Sequence, residues 1–365
     1  LDNPMSAELT VRLGALADNY REVLRRAPGA WAIPVVKANA YSLGIDHVAP
    51  TLAAAGAETF FVARVEEGVK LRALLPAVRI LILDGVNPGT APALISHRLM
   101  PVLNSPEEVT LWCELGKRER RTLEAAIQID TGMNRSGVSH SELAQLERKL
   151  KQGLAGIDLK LVMSHLACAD DPDHPMNRAQ LERFRTALAR LPSAPASLAA
   201  TAGIELGRDY IFDAVRPGMA LCGGKPMPSR PNPYRTVAIL TSRVLQLRRV
   251  DKGETVGYGA TFAAARPTIL ATVAVGYADG LMRANGGRGK ALLGGVRVGF
   301  AGRISMDLAV LDVTDVPADV LTPGVEAELL GETITLEEVA DAAGTISHEV
   351  LTAISPRARR VYVGT

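Results

Sequence analysis

The chain predicts an α/β architecture: an N-terminal (β/α)8 TIM-like barrel over residues 12–225, followed by a mostly β C-terminal domain over residues 236–365. Three observations carry this. Short apolar, β-rich runs recur between Trp31 and Gly223, and most of the gaps between them hold helical patterns. From Thr236 onward strand-like runs follow one another without long helices. Between the two textures lies "GGKPMPSRPNPYR", dense in Gly and Pro, which reads as a boundary with a linker over residues 226–235. Residues 1–11 read as a separate N-terminal segment.

Taken in order, the eight barrel runs are "WAIPVVK" (31–37), "TFFVAR" (59–64), "RILILDG" (79–85), "LMPVLN" (99–104), "AAIQIDTG" (125–132), "LKLVMSHLA" (159–167), "ASLAATAG" (196–203) and "AVRPGMALCG" (214–223). Helices are expected at Leu13 to Arg26, Ser105 to Gly116, Ser139 to Gln152 and Asn177 to Leu191, the last three opening on good N-cap residues. The competing arrangement is an open doubly wound sheet, but no Gly-x-Gly-x-x-Gly turn follows the first strand. In the second domain, helical stretches at Leu336 to Ala343 and Ser347 to Ile354 precede a closing "RRVYVGT".

Composition narrows the function classes. With 41 Lys and Arg against 39 Asp and Glu, the net charge of +2 gives no footprint for nucleic acid or an acidic membrane. The three cysteines, Cys113, Cys168 and Cys222, follow no disulfide or metal-binding spacing, which fits a reducing compartment. The first residues lack the basic and apolar regions of a secretory signal, and no apolar run is long enough to span a bilayer. A cytoplasmic protein is expected, with no metal.

In such a barrel the site forms where the strands end, so polar residues just after each run are the candidates. They are Lys37 and Tyr41 after the first run, Arg135 after the fifth, His165 after the sixth, Thr201 after the seventh, and Arg216 with Gly218 after the eighth. Singly, each has an ordinary explanation, such as a snorkelling lysine or a hydrogen-bonded structural histidine. Together they suit one chemistry. A poorly solvated lysine amine has a lowered pKa and forms an imine bond with an aldehyde. Tyr41, Thr201 and the backbone around Gly218 could hold a phosphate, and two arginines could bind anionic or acceptor atoms. Pyridoxal 5'-phosphate would use all of them.

Six motifs in order then carry a resemblance: "VVKANAYSLG" (35–44), "DTGMNRSG" (130–137), "VRPGMALCG" (215–223), "ETVGYGATF" (254–262), "VGYADG" (275–280) and "GRISMD" (302–307). The sequence resembles the fold-type III alanine racemases over almost its whole length. The resemblance implies that Lys37 carries pyridoxal phosphate covalently and is one of two catalytic bases. Tyr258 is implied as the other, on the opposite face of the substrate Cα. An unperturbed phenol is a poor base at neutral pH. By the same match Arg216 and His165 form a hydrogen-bonded chain with Tyr258, with Arg216 at the cofactor's pyridine nitrogen. Arg135 is implied at the cofactor's phenolic oxygen and the substrate carboxylate. Met306 offers that carboxylate its backbone N–H, and Tyr277 narrows the entrance. Tyr41 and Tyr362 complete the phosphate site, and Gly218 and Met219 are assigned to the cofactor. Tyr258 and Met306 are implied to reach Lys37 from the other subunit, giving a homodimer with composite sites.

Two departures stand out. Relatives often carry a carbamylated lysine where this chain has Gln128, whose oxygen is expected to accept a hydrogen bond from Arg135. Thr201 stands where serine is usual, and Ser42 where glycine is. The function expected is racemisation of L- and D-alanine, for peptidoglycan or for alanine catabolism. The alternatives are a broader amino-acid racemase acting on serine, a decarboxylase of the same fold type, and a non-enzymatic cofactor carrier. Arg216 argues against the decarboxylase and the second domain against the carrier.

Overall fold

The computed structural model describes residues 7–151 and 156–364. The expectations for residues 1–6, for the helix end at Gln152 and for Thr365 lie outside the described residues. Glu8–Arg12 (β1) alternates, burying Leu9 and Val11. It pairs antiparallel with Leu240 and its neighbours and parallel with Arg359 to Val363. The segment read as separate therefore joins the second domain's sheet. The helix Leu13–Arg26 follows, burying Leu13, Leu16, Tyr20 and Val23 along one face. Arg25 and Arg26 sit in its last turn, where cations complement the helix dipole.

The barrel strands are β2 (Trp31–Ala32), β3 (Thr59–Val62), β4 (Arg79–Ile82), β5 (Met100–Leu103), β6 (Leu123–Gln128), β7 (Ile157–Met163), β8 (Ala196–Ser197) and β9 (Ala214–Val215). β3 to β8 pair in chain order, all parallel. β2 pairs with β9, and the bridges Val35↔Phe61 and Ala200↔Arg216 close the ring. Ile33, Phe61, Leu81, Val102, Leu161 and Met163 fill the interior. Each such side chain contributes about 1.5–3 kcal/mol when fully buried.

Three expected strands are cut to two residues each. Pro34 has no N–H, so β2 stops early, although the Pro34 carbonyl still accepts from Phe61 N at 2.8 Å. The run 196–203 pairs only at Ala196–Ser197 and then starts the helix Thr201–Glu205. The run 214–223 pairs at Ala214–Val215 before Pro217 ends it. Among the helices, Ser105 caps Pro106–Arg118 by accepting from Glu108 N at 3.2 Å. Asn177, expected as a cap, lies inside the helix Pro175–Leu188, and His174 takes that role through Nδ1.

In the second domain the long strand β10 (Ala238–Val250) is followed by β11 (Thr255–Val256), β12 (Phe262–Ala263), β13 (Thr268–Val273), β14 (Lys290–Leu293), β15 (Val296–Phe300), β16 (Ala309–Asp312), β17 (Glu326–Leu330) and β18 (Arg359–Val363). β13, β16, β15, β14, β17 and β10 pair in that order, and β10 pairs back to β13, closing a second, antiparallel barrel. β10 can do this because its first half faces β1 and β17 and its second half faces β13. β11 and β12 form a separate hairpin. The helices Leu336–Ala343 and Ser347–Ala353 lie before β18, and the second packs against the far end of the Lys37 turn, at Tyr41 and Ser42.

Candidate active site

Lys37 opens a turn that the strand reading did not anticipate. Ala38, Asn39, Ala40, Tyr41 and Ser42 all have left-handed backbones, with φ between 53° and 64°. Non-glycine residues disfavour this by roughly 1–2 kcal/mol each, so surrounding contacts must impose it. Glu67 does so at one end: its Oε1 accepts from Ala38 N at 2.6 Å while Oε2 accepts from Ala63 N and Arg64 N. Asn39 Oδ1 accepts from Ile45 N at 3.0 Å. The result places Lys37 and Tyr41 four residues apart on one small turn.

Lys37 is half-buried, and its ammonium is held below the usual lysine range, first by desolvation and then by the nearby charge of Arg135. Glu67 and Asp84 oppose this only in part. Tyr41 is buried, which pushes its phenol up, and its hydroxyl faces Gly218. A Cβ on Gly218 would lie 2.2 Å from Tyr41 Oη, so only glycine permits the approach. Thr201 Oγ1 accepts from both Gly218 N and Ala220 N at 3.2 Å. A hydroxyl on each side of an N–H-rich loop is thereby fixed. Met219 is buried in the same loop, where its side chain occupies the space beside Gly224.

Arg216, just past β9, is almost wholly buried. Nη1 donates to Ser197 Oγ at 2.6 Å, and Nη2 donates to the carbonyls of Ser164 and Leu198. Burial pushes it down to about 10, which still leaves it protonated at neutral pH. Nη2 also lies 3.4 Å from His165 Nδ1. Desolvation, then Arg216, Arg135 and Lys37, push His165 down to about 3. It is a neutral imidazole. Behind it, Gln180 Nε2 donates to the His165 carbonyl at 2.8 Å and to Thr131 Oγ1, while Gln180 Oε1 accepts from Ala167 N.

Arg135 is exposed on the loop after β6, close enough to depress both Lys37 and His165. The expected Gln128–Arg135 hydrogen bond is not made. Gln128 instead donates from Nε2 to the Ser136 carbonyl at 2.9 Å. The amide therefore secures the backbone of the loop one residue past Arg135 rather than the guanidinium itself.

The second-domain candidates form another group. Tyr258 is 71 % exposed, Met306 53 % and Tyr277 41 %. Tyr258 stands on the turn between β11 and β12, where Gly259 packs against the Arg303 side chain. Tyr277 N donates to Ser305 O and Ala278 N to Met306 O, lacing the other two loops together. These loops meet through Arg303 to Met306, not through Lys37. Tyr362 stacks on His47 with ring centroids 3.7 Å apart, and its hydroxyl faces Gly44 at the end of the Lys37 turn.

Comparison with known proteins decides the family. The domain family described as alanine racemase, N-terminal domain, matches residues 11–226, and the one described as alanine racemase, C-terminal domain, matches residues 237–362. The chain belongs to the alanine racemases. The catabolic alanine racemase of Agrobacterium fabrum is 46% identical over 98% of this chain and 92% of its own length. The biosynthetic alanine racemase of the same organism is 44% identical over 97% of this chain and 93% of its own length. The crystal structure of the Bartonella henselae alanine racemase, with covalently bound pyridoxal phosphate, superposes with a TM-score of 0.94 at 38% identity, covering 98% of this chain and 99% of that one. The chain is thus an isomerase acting on alanine, and the decarboxylase and carrier alternatives fall.

His348, Glu67 and Gln180, which the sequence reading missed, support this racemase's Lys37, Tyr41 and His165. His348 comes from the helix Ser347–Ala353 to within 6.0 Å of the Tyr41 ring, and its charge contributes to the low pKa of His165. Burial and Lys37 in turn hold His348 below the usual imidazole range. Glu67 and Gln180 had no motif to flag them.

Proposed function

We propose that this alanine racemase works with pyridoxal 5'-phosphate held at Lys37, by a two-base mechanism completed by Tyr258 of the partner subunit. The cofactor suits the residues present. Tyr41 Oη and Thr201 Oγ1 flank the Gly218 backbone, where a Cβ would leave no room, and Thr201 Oγ1, which accepts from Gly218 N and Ala220 N, keeps its own hydrogen to donate to a phosphate beside the Tyr41 hydroxyl. Met219 and Tyr362 belong to the same cradle in this reading. Bound there, the cofactor would supply an electron-withdrawing ring conjugated to the substrate Cα, making its proton removable.

The chain's own residues do the rest. Arg216 keeps its proton, so at the ring nitrogen it can only donate, and that nitrogen stays unprotonated. The electron sink that the bound cofactor supplies would then be shallow, which would favour prompt return of the proton to Cα. His165, neutral, accepts from Arg216 at Nδ1 and has an N–H at Nε2 to pass the chain onward toward Tyr258. Arg135 orients the substrate carboxylate, with the Met306 N–H of the partner subunit. Lys37 Nζ holds or takes the proton on one face of Cα, its lowered pKa making the free amine accessible. Tyr258 Oη does the same on the other face, and Tyr277 limits the size of the side chain admitted.

One observation carries this reading: Tyr258, Tyr277 and Met306 are exposed together on the second domain, away from the Lys37 cluster that would need them. A homodimer that brings each group to its partner's cluster resolves that. The test is borohydride reduction of the holoenzyme followed by peptide mapping. An adduct on Lys37 is expected, and its absence would bring the reading down. Three free cysteines and no helix among the described residues long enough to cross a membrane support a cytoplasmic place. Supply of D-alanine for peptidoglycan or alanine catabolism is the cellular role, and D-alanine dependence of a deletion strain reports the first.

A further inference from the structure

The left-handed turn that carries Lys37 and Tyr41 is held from outside the barrel by one side chain. Arg360 stands at the start of β18, partly buried. Its Nη1 donates to Ser355 O at 2.6 Å and to Ala358 O at 2.7 Å, and its Nη2 to Ile354 O and Ser42 O, both at 3.0 Å. Its Nε donates to Ser42 O at 3.2 Å. All five guanidinium donors are therefore used. Three carbonyls belong to the segment that ends the helix Ser347–Ala353, and the fourth is the last residue of the turn.

A second tie runs beside it. Ser42 Oγ donates to Thr352 O at 3.2 Å. One helical turn earlier on the same face, His348 lies against Tyr41. The turn is thus gripped at Ala38 N by Glu67 and at Ser42 by the second domain of its own chain. Between these grips every residue is in a region that non-glycine residues avoid. Without the outer grip, the local preference of Ala38, Asn39, Ala40 and Ser42 is to return to right-handed backbone. Tyr41 would then lose the placement that seats its hydroxyl against Gly218 while Lys37 stays at the strand end.

We propose that Arg360 is a positioning residue for racemisation, holding the left-handed turn so that Lys37 and Tyr41 address the cofactor together. The inference rests on the reading of Lys37 and Tyr41 given above. It assigns a site function to a residue far along the chain that touches neither substrate nor cofactor. It also explains how Ser42 is tolerated where a left-handed backbone would favour glycine: its hydroxyl adds a tie that glycine lacks.

The test compares wild-type, Arg360→Ala, Arg360→Lys and the double variant Arg360→Ala with Ala38→Gly. For each, pyridoxal phosphate dissociation is measured by equilibrium dialysis, and the visible absorbance of the holoenzyme is followed against pH. Arg360→Ala is expected to bind the cofactor about tenfold more weakly and to shift the midpoint of the absorbance titration. Arg360→Lys, which lacks the planar fork, recovers only part of the loss. Ala38→Gly removes a left-handed penalty at an exposed residue, so the double variant is expected to regain affinity, which a simple loss of domain docking would not allow. Should Arg360→Ala fail to fold, Arg360→Lys with and without Ala38→Gly gives the same comparison. Wild-type affinity and an unshifted titration in the Arg360 variants would overturn the proposal while an adduct on Lys37 left the site reading intact. A failure of Ala38→Gly to restore affinity would also overturn it, and an adduct elsewhere than Lys37 would overturn both.

Discussion

Arg216 Nη2 lies 3.4 Å from His165 Nδ1, and the arginine beside it is only 4 % exposed. An arginine donates only, so the geometry makes Nδ1 the acceptor and leaves the imidazole neutral. The first prediction concerns that imidazole. Its pKa is pushed from 6.5 to about 3, so its ring resonances should not titrate between about pH 5 and 8. Arg216→Met should raise the midpoint without restoring the ordinary value, because burial, the largest cause, remains. The linkage has a definite sign. Above 6.5 both folded and unfolded chains are neutral here and the residue has no effect on stability. As pH falls from 6.5 toward 3, the unfolded chain takes a proton that the folded one refuses, so stability declines across that window. Titration of His165 near neutrality in the wild-type protein would contradict this.

The exposed position of Tyr258 leads to a second prediction. With 71 % of its surface exposed, Tyr258→Phe should fold with an unchanged melting temperature yet lose activity on the order of 10²–10⁴-fold, as removal of an acid–base group does. Lys37→Ala should be inactive for the same reason. When the two variants are mixed and exchange subunits at random, half the dimers are mixed and each contains one intact composite site, so about a quarter of wild-type activity should return. Exchange proven by differential tags, with no recovered activity, would rule out a shared site.

Gly218 gives a steric prediction. A Cβ there meets Tyr41 Oη at 2.2 Å, and the tyrosine is too buried to swing away. Overpacking of this kind costs about 1–3 kcal/mol. Gly218→Ala should therefore weaken pyridoxal phosphate binding about tenfold, and adding Tyr41→Phe, which removes the clashing oxygen, should recover part of the stability though not the lost donor. Thermal melts with and without cofactor separate the two effects. Undiminished affinity in Gly218→Ala would remove this loop from the phosphate site.

The barrel was legible because its signals are local. Alternating apolar runs and helical periodicity placed eight strands, and the helices Leu13–Arg26 and Leu336–Ala343 appear at their expected bounds. The runs at 196–203 and 214–223 were overextended because an apolar stretch looks the same whether it pairs or turns inward at the barrel mouth. The strand-end polar residues do gather, as Arg216, His165, Thr201 and Gly218 show. The left-handed turn was not legible. Alanines have no preference for it, so only its tertiary grips through Glu67, Ser42 and Arg360 reveal it. His348 and Gln180 were invisible for the same reason, since each acts across elements distant in the chain. The placing of β1 in the second domain depended likewise on pairing with strands more than 200 residues away.

Gln128 gives the last prediction. It is 8 % exposed, and its Nε2 donates to Ser136 O at 2.9 Å. Ser136 Oγ in turn donates to Asn104 Oδ1, and Asp130 Oδ1 accepts from Gly132 N and Asn134 N, so the loop that presents Arg135 is secured at its base and along its length. A neutral amide offers no amine for carbon dioxide to modify. Wild-type activity should therefore be the same in carbonate-depleted buffer and in added bicarbonate. Gln128→Glu replaces the donor with a carboxylate facing the Ser136 carbonyl, which removes that tie, sets two acceptors against each other and loosens the loop. Because Arg135 is the group proposed for the substrate carboxylate, the loss should appear as a rise in KM for alanine of about tenfold, with kcat changed much less. Gln128→Ala, which removes the donor without adding charge, should give a smaller rise of the same kind. A wild-type rate that climbs with bicarbonate, or an unchanged KM in Gln128→Glu, would show that the loop is held by something other than this amide.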